Sequence, residues 1–307
     1  MKAEGMWGRS TMRGAVVVIG VVAQVTALIP GLHPERSSGG TESRPAIEIG
    51  RVHDRFQPSR GKIFVLIMGS DARYGNKNTN ADAIHIAGIN TKTMRGGILN
   101  FPRDSWVEIP GYGSGKINAA LHAGGPRLVA RTLEKLTGIR MDYWVLVGFQ
   151  GFQRIIRDLG GVTVKLPRAI NDAGGSGANL RAGEHRLGGR ASLAYVRTRK
   201  AFKHGDITRT TNQARFLLAM LRELRRDLKD YPISLLRWME VARRNTRLNI
   251  SPREMYRLAL LTSQAAPWKI DNVTVPASLG WAGPQSVVFI RSGAKKLYKR
   301  FKKHASL

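Results

Sequence analysis

Charged side chains in this chain gather where short apolar runs stop. The run from Ile63 to Met68 ends in Gly69, with Asp71 and Arg73 just beyond it. Asp82 precedes the alternating stretch that holds Ile84 and Ile86, and the run from Ile98 to Phe101 gives way to Pro102, Arg103 and Asp104. A later group contains Arg197, Arg199, Asp206, Arg209 and Gln213. Carboxylates and guanidinium groups converging on one place suit a metal-bridged phosphate ligand. Asp71 and Asp82 flank a loop between two strands, and two such carboxylates can share Mg²⁺, which binds through one or two carboxylates plus substrate phosphates. Pro102 fixes the turn that aims Arg103, whose guanidinium can take a phosphate in bidentate fashion. Lys116 follows the glycine-rich stretch 111–115, a weak signal for an anion cradle. Arg197 and Arg199 are two apart, which in extended chain puts both on one face. Arg209 and Gln213 are four apart and share a helix face. Asp206 stands near the start of that helix, where an acidic residue also serves as an ordinary cap.

The elements that position these residues follow from hydrophobic period and from breakers. Strands are expected over Ile63 to Met68, Ile84 to Ile89, Ile98 to Phe101, Tyr143 to Val147 and Val162 to Val164, with a turn over Asn90 to Thr93. Helical spacing covers Gly125 to Leu136, Phe149 to Leu159 with Gly160 and Gly161 closing it, Ala191 to Tyr195, and the long amphipathic stretch Thr208 to Lys229. Asn171 to Gly189, rich in Gly and Asn, reads as a loop. Further helices are expected over Leu235 to Arg244 and Pro252 to Ala265, then strands at Val273 to Val275 and Val287 to Ile290, and a basic tail from Lys295 to Lys303. Strands interspersed with helices imply a three-layer α/β or an α+β arrangement around one core.

Bulk composition narrows the class. The chain has 307 residues, 42% of them hydrophobic, with a net charge of +29. Such a basic excess suits nucleic acid, a membrane surface or an anionic envelope polymer equally well. The absence of cysteine excludes disulfides, thiolate metal sites and thiol nucleophiles. Lys2, Arg9 and Arg13 precede the apolar run from Ala15 to Ile29, closed by Pro30, and a basic flank before an apolar stretch marks an export signal or an anchor. The reading adopted is an uncleaved anchor with its N-terminus inside. The expected organisation is a cytoplasmic basic segment 1–13, an anchor 14–30, a flexible tether 31–61, a catalytic domain 62–250 and a C-terminal extension 251–307.

The order of the motifs is more specific than any one of them. Gly69 to Arg73, Asp82, Phe101 to Asp104, Ile109 to Gly113 with Lys116 to Ala120, Gly160 to Val164, Leu193 to Arg199, and Gly205 and Asp206 with Arg209 and Gln213 together resemble the LytR-CpsA-Psr family over roughly residues 62 to 230. The resemblance implies an α/β domain with a mixed central sheet and helices on both faces, carried outside the cytoplasmic membrane by a single N-terminal anchor. It implies Mg²⁺-assisted transfer of a glycopolymer from a polyprenyl-pyrophosphate carrier to peptidoglycan, giving a phosphodiester-linked product. By the same resemblance Asp71 and Asp82 hold the Mg²⁺–pyrophosphate. Arg103, Arg197, Arg199 and Arg209 bind its oxygens, and Asp104, Lys116, Asp206 and Gln213 complete the polar shell. The stretches Phe149–Leu159 and Phe216–Leu224 line a tunnel for the polyprenyl tail. The departing pyrophosphate is expected to collect charge, and Asp82 or Asp104 to accept the proton of the attacking hydroxyl. Two positions depart from the family pattern: Asn80 and Asn212 stand where arginine is usual, which is expected to take charge from the pyrophosphate cradle.

Two other functions compete. A non-catalytic envelope protein that binds polyprenyl phosphate or anionic wall polymer is motivated by those two asparagines. A DNA-binding regulator is suggested by charge alone, but no helix-turn-helix pattern supports it, and nucleic acid is not an expected partner.

Overall fold

The protein is represented by a computed structural model that describes residues 47–53, 61–70, 80–202, 205–231, 233–234, 237–238, 241, 246–251, 254, 258 and 264–307. The apolar run 15–29, Asp71 and Arg73, and most of the two helices expected between 235 and 265 lie outside these residues. No described helix is long and apolar enough to cross a membrane.

The strands in chain order are β1 (Ile47–Arg51), β2 (Lys62–Ser70), β3 (Ala81–Asn90), β4 (Gly96–Phe101), β5 (Trp106–Ile109), β6 (Gly113–Lys116), β7 (Tyr143–Gly148), β8 (Val162–Leu166), β9 (Ile170–Asp172), β10 (Ala178–Leu180), β11 (Gly183–Leu187), β12 (Thr246–Asn249), β13 (Ile270–Thr274), β14 (Ala277–Ala282) and β15 (Gln285–Ile290). The helices are α1 (Ala119–Thr137), α2 (Phe149–Asp158), α3 (Gly189–Arg197), α4 (Gly205–Asp230) and α5 (Ala294–His304). Seven strands form one mixed sheet in the order β12-β1-β7-β2-β3-β4-β13. Strands β2 and β7 run parallel, while β3 is antiparallel to both β2 and β4.

Strand β2 shows why the sheet is covered twice. Successive side chains of a strand point to opposite faces. Ile63, Val65 and Ile67 join one core with Ile155 and Ile156 of α2, Tyr195 of α3, and Phe216, Met220 and Leu224 of α4. Phe64, Leu66 and Met68 join another with Leu128, Val129 and Leu133 of α1 and Tyr298 and Phe301 of α5. An unbroken apolar run is what a strand buried on both faces requires. The result is a mixed α/β fold with helices on both sides of the sheet.

Three sequence expectations are corrected. The segment read as a tether contains β1, which pairs with β7 inside the sheet. Gly50 reads as a linker residue, but the Trp144 indole lies over it, 2.5 Å from where a Cβ would stand, and Trp144 Nε1 donates to Arg51 O. The stretch read as a loop holds most of the β9–β10 hairpin, and β11, which pairs with β8 in a second two-stranded sheet. Strands of three residues among glycines are too short to show alternation. The glycine-rich stretch 111–115 turns the β5–β6 hairpin, with Gly111 and Gly113 at positive φ, rather than opening a helix as an anion cradle would.

The basic tail is helix α5, and its apolar side is core. Phe301 is fully buried, packs edge-on to Phe64 with ring centroids 5.3 Å apart, and reaches the sheet at Gly88, where a Cβ would stand 2.8 Å from its ring. Replacing Phe301 by Leu is expected to lower stability by about 1–2 kcal/mol, read as a reduced thermal midpoint. An unchanged midpoint would show α5 to be an appendage.

Candidate active site

Four strand ends meet at one edge of the sheet. Strand β2 ends at Ser70, β4 at Phe101 and β7 at Gly148, while antiparallel β3 begins there at Ala81. The register locks them together: Met68 faces both Ile84 and Leu146, and Ile84 faces Phe101. Asp82, Arg103 and Phe149 therefore emerge side by side, although they are far apart in sequence.

Pro102 stops β4 because it has no N–H to donate. The turn after it is fixed: Ser105 N–H and Oγ both donate to Pro102 O, at 3.0 and 2.7 Å, and Asn118 N–H donates to Arg103 O at 3.1 Å. Arg103 Nη1 donates to Asp82 Oδ1, and its Nε lies 3.7 Å from Asp104 Oδ2. Lys116 Nζ lies 3.5 Å from the other Asp104 oxygen. Charge thus alternates along Asp82, Arg103, Asp104 and Lys116. The backbone of Asp104 is held from outside the motif, its carbonyl accepting from Val288 N–H of β15 at 2.9 Å.

A cavity of about 450 Å³ opens at this edge, between the sheet and helices α2, α3 and α4. Its charged lining is Asp82, Arg103, Asp172, Arg197, Arg199, Lys200 and Arg209: five cations against two carboxylates. Along α4 the lining changes from Arg209 and Gln213 to Phe216, Leu217 and Met220. From Arg209 to Met220 the helix rises about 16 Å. Phe152, Ile155, Ile156 and Leu159 of the α2 segment, together with Trp238, continue the apolar part. Helices α2 and α3 approach so closely that a Cβ on Gly189 would lie 2.3 Å from Gln153 O.

Arg197 and Arg199 both line the cavity, but not as neighbours on an extended chain. Arg197 closes α3, a position that favours a cation, and its guanidinium sits 5.1 Å from the Phe149 ring centre. Thr198 leaves the helix, and Arg199 N–H donates to Asp172 Oδ2 at 3.0 Å. Gln213 ties α4 to this corner, donating from Nε2 to Val196 O at 3.2 Å. Asp206 is the second residue of α4, and its side chain is outside the described set. Asp104 and Lys116 do not line the cavity; they stand behind Arg103. Asn212 is also absent from it, because adjacent helix residues point about 100° apart, and it lines a different cavity. Asn212 itself therefore contributes nothing to the first cavity. Among the described residues no three His, Cys, Asp or Glu side chains cluster as metal ligands.

Sequence reasoning missed Asp172, Lys200 and His85. Asp172 is buried, which raises its pKa, but hydrogen bonds from the Arg199 N–H, from Ser176 and from the Lys200 N–H outweigh this and hold the carboxyl below its usual range. The signal was an aspartate followed by Gly174, Gly175 and Gly177, the composition of an anchored turn. His85 reads as one polar residue in an apolar strand. It is 1% exposed and lines the cavity, and its Nδ1 is 2.8 Å from Asn100 Oδ1. Asn100 Nδ2 donates to Asn272 Oδ1 at 2.6 Å, so Oδ1 accepts and Nδ1 carries the proton. Burial lowers the imidazole pKa to about 4, against the opposing effect of hydrogen bonding with Asn100 and Gln213. The folded pKa lies below the unfolded value, so the unfolded chain binds more protons in between. His85 is therefore expected to cost stability progressively as pH falls from about 6.5 toward 4. Denaturant unfolding of His85→Gln beside the parent at pH 7, 5.5 and 4.5 should show a shallower decline in the variant.

Chemically, a cationic end joined to a long apolar arm accepts an amphiphile with an anionic headgroup and a hydrocarbon tail. Known proteins resemble this chain in sequence and in fold. TagV of Bacillus subtilis, named a polyisoprenyl-teichoic acid–peptidoglycan teichoic acid transferase, is 30% identical over 244 residues, 76% of this chain and 62% of its own. TagT of the same organism, with the same kind of name, is 36% identical over 176 residues, 54% of each chain. Regulatory protein MsrR of Staphylococcus aureus is 32% identical over 181 residues, 57% of this chain and 53% of its own. The chain thus spans roughly half to three-fifths of the length of these curated relatives. The crystal structure of B. subtilis TagV superposes with a TM-score of 0.68 at 27% identity, over 80% of this chain and 98% of that one. TagT bound to LI-WTA gives 0.65 at 25% identity, over 81% and 92%. A family model matches residues 35–303, and the chain belongs to the LytR_cpsA_psr family.

Proposed function

We propose that this protein transfers a glycopolymer from a polyprenyl-pyrophosphate carrier onto peptidoglycan, and that the cavity at the sheet edge is where it does so. The observation that carries the reading is the junction of five cations with an apolar arm in one cavity. Transferase names among the relatives, and a TagT structure bound to LI-WTA, support it.

The chemistry follows from charge. A phosphodiester-linked product keeps one phosphate. The acceptor hydroxyl therefore attacks the sugar-side phosphorus, the bond between the two phosphates breaks, and polyprenyl phosphate leaves. This refines the expectation that the whole pyrophosphate departs. Arg103, Arg197, Arg199 and Arg209 neutralise charge that grows on the leaving phosphate, which lowers the barrier because that charge is greatest in the transition state. Asp82 lines the cavity and Asp104 does not, so Asp82 is the better placed to accept the hydroxyl proton.

Of the two described lining carboxylates, Asp172 is taken up by the Arg199 N–H and Ser176 and Asp82 stands beside Arg103, a donor set that fits Mg²⁺ only if substrate phosphates complete the shell. With Asp71, Asp82 would hold the ion, which supplies further neutralisation of phosphate oxygens. The apolar run 15–29 would anchor the chain in the cytoplasmic membrane as a single pass, with the domain on the outer side. Membrane fractionation with and without external protease tests that placement.

The transfer reading is tested by incubating the full chain with a lipid-pyrophosphate oligosaccharide, Mg²⁺ and peptidoglycan. Sugar covalently joined to peptidoglycan is the expected result. Lipid that binds but never reacts would leave a binding protein.

A further inference from the structure

Helix α4 walls a second cavity, of about 270 Å³, on another of its faces. Lys165, Arg168, Arg215 and Arg222 all line it, and no carboxylate does. None of the four is ion-paired to a described acid. The nearby Glu223 is engaged by Arg186 and Arg226 instead. Like charges gathered around one concavity repel one another and concentrate positive potential inside it, so the arrangement favours an anionic occupant.

Two of the guanidinium groups are held in place. Arg168 lies 4.9 Å from the Phe202 ring centre, and Arg215 Nη1 donates to Asn212 Oδ1 at 3.2 Å. Groups fixed in this way lose little freedom when they bind phosphate. Buried Asn212 and Tyr195 supply a polar floor. The site also shares its walls with the first cavity: Val196, Arg197, Arg199 and Lys200 face the first, and Tyr195 and Phe202 the second.

We propose that this second cavity is a subsite for phosphate groups along an anionic glycopolymer, separate from the pyrophosphate site. A concave site with cations around it suits a flexible phosphate-bearing strand better than the flat surface of a bilayer. The proposal rests on the transferase reading only for the polymer's source, and binding is measured apart from transfer.

The test uses the full chain with the first cavity saturated by polyprenyl pyrophosphate. A fluorescent glycerol-phosphate oligomer is titrated against the parent and Lys165→Glu/Arg222→Glu, whose side chains are exposed. The expected result is at least a tenfold loss of oligomer affinity in the variant, weaker binding by the parent as salt rises, and unchanged affinity for polyprenyl pyrophosphate. Equal oligomer binding by both proteins would overturn the proposal. So would equally tight binding of an uncharged oligosaccharide, or a variant defect confined to phosphatidylglycerol vesicles. Failure of the parent to transfer polymer while it still binds the oligomer more tightly than the variant would count against the transferase reading and leave the subsite standing.

Discussion

Arg103→Ala is expected to lower polymer transfer by about 10²–10³-fold, the usual effect of removing one preorganised donor from a developing anion. The guanidinium is positioned by its surroundings. The Pro102–Ser105 turn fixes its backbone, Asp82 accepts from its Nη1, and Asp104, itself steadied by Lys116 and by the Val288 N–H, lies on its other side. A donor held this way costs no reorganisation when charge appears on the leaving phosphate. The same geometry limits damage to the fold. Arg103 is 25% exposed and Asp82 16%, so the stranded carboxylate stays near water, and the stability loss should be about 1 kcal/mol. Arg103→Lys keeps the charge but not the fork, and should fall between parent and Ala. Arg197→Ala should act in the same direction, since Arg197 reaches the cavity from the end of α3. Single-turnover assays beside thermal melts separate chemistry from folding. Normal transfer by both alanine variants would place the active site elsewhere.

The part of this site that was legible is the part written in local signals. The doubly buried strand β2, the long amphipathic α4 and the proline stop before Arg103 each leave a short-range pattern. Residue order across motifs then brought Asp82, Arg103, Arg197, Arg199, Arg209 and Gln213 to one place. What stayed hidden depends on direction rather than spacing. Asp104 follows Arg103 directly yet points behind it toward Lys116. Asn212 precedes Gln213 yet serves the other cavity, because neighbours on a helix face different ways. Arg197 and Arg199 meet the cavity through a helix end and the residue past it, a geometry that spacing alone cannot tell from a strand. Asp172 was lost because glycine-rich composition hides short hairpins. His85 was lost because one polar residue in an apolar strand reads equally well as satisfied core, and its link to Asn100 and Asn272 crosses three strands.

The apolar arm makes a separate prediction. Leu217 lines the cavity between Phe216 and Met220, beyond the last polar residue of that helix face. Leu217→Trp adds bulk there while leaving every charged group in place. If a polyprenyl tail lies along this arm, the indole displaces part of it. Burial is worth about 0.8 kcal/mol per CH₂, so pushing one five-carbon unit into water costs about 3–4 kcal/mol, or a few hundredfold in affinity. A soluble pyrophosphate ester without the tail gains nothing from the arm and should bind parent and variant alike. The contrast between the two ligands carries the argument, because a variant that had merely lost its fold would bind neither. Competition binding with a long-chain and a tail-free pyrophosphate, on protein whose melting temperature is checked, reads it directly. Equal losses for both ligands would mean that the substitution disturbs the arginine end. No loss for either would mean that the tail runs somewhere other than between α2 and α4.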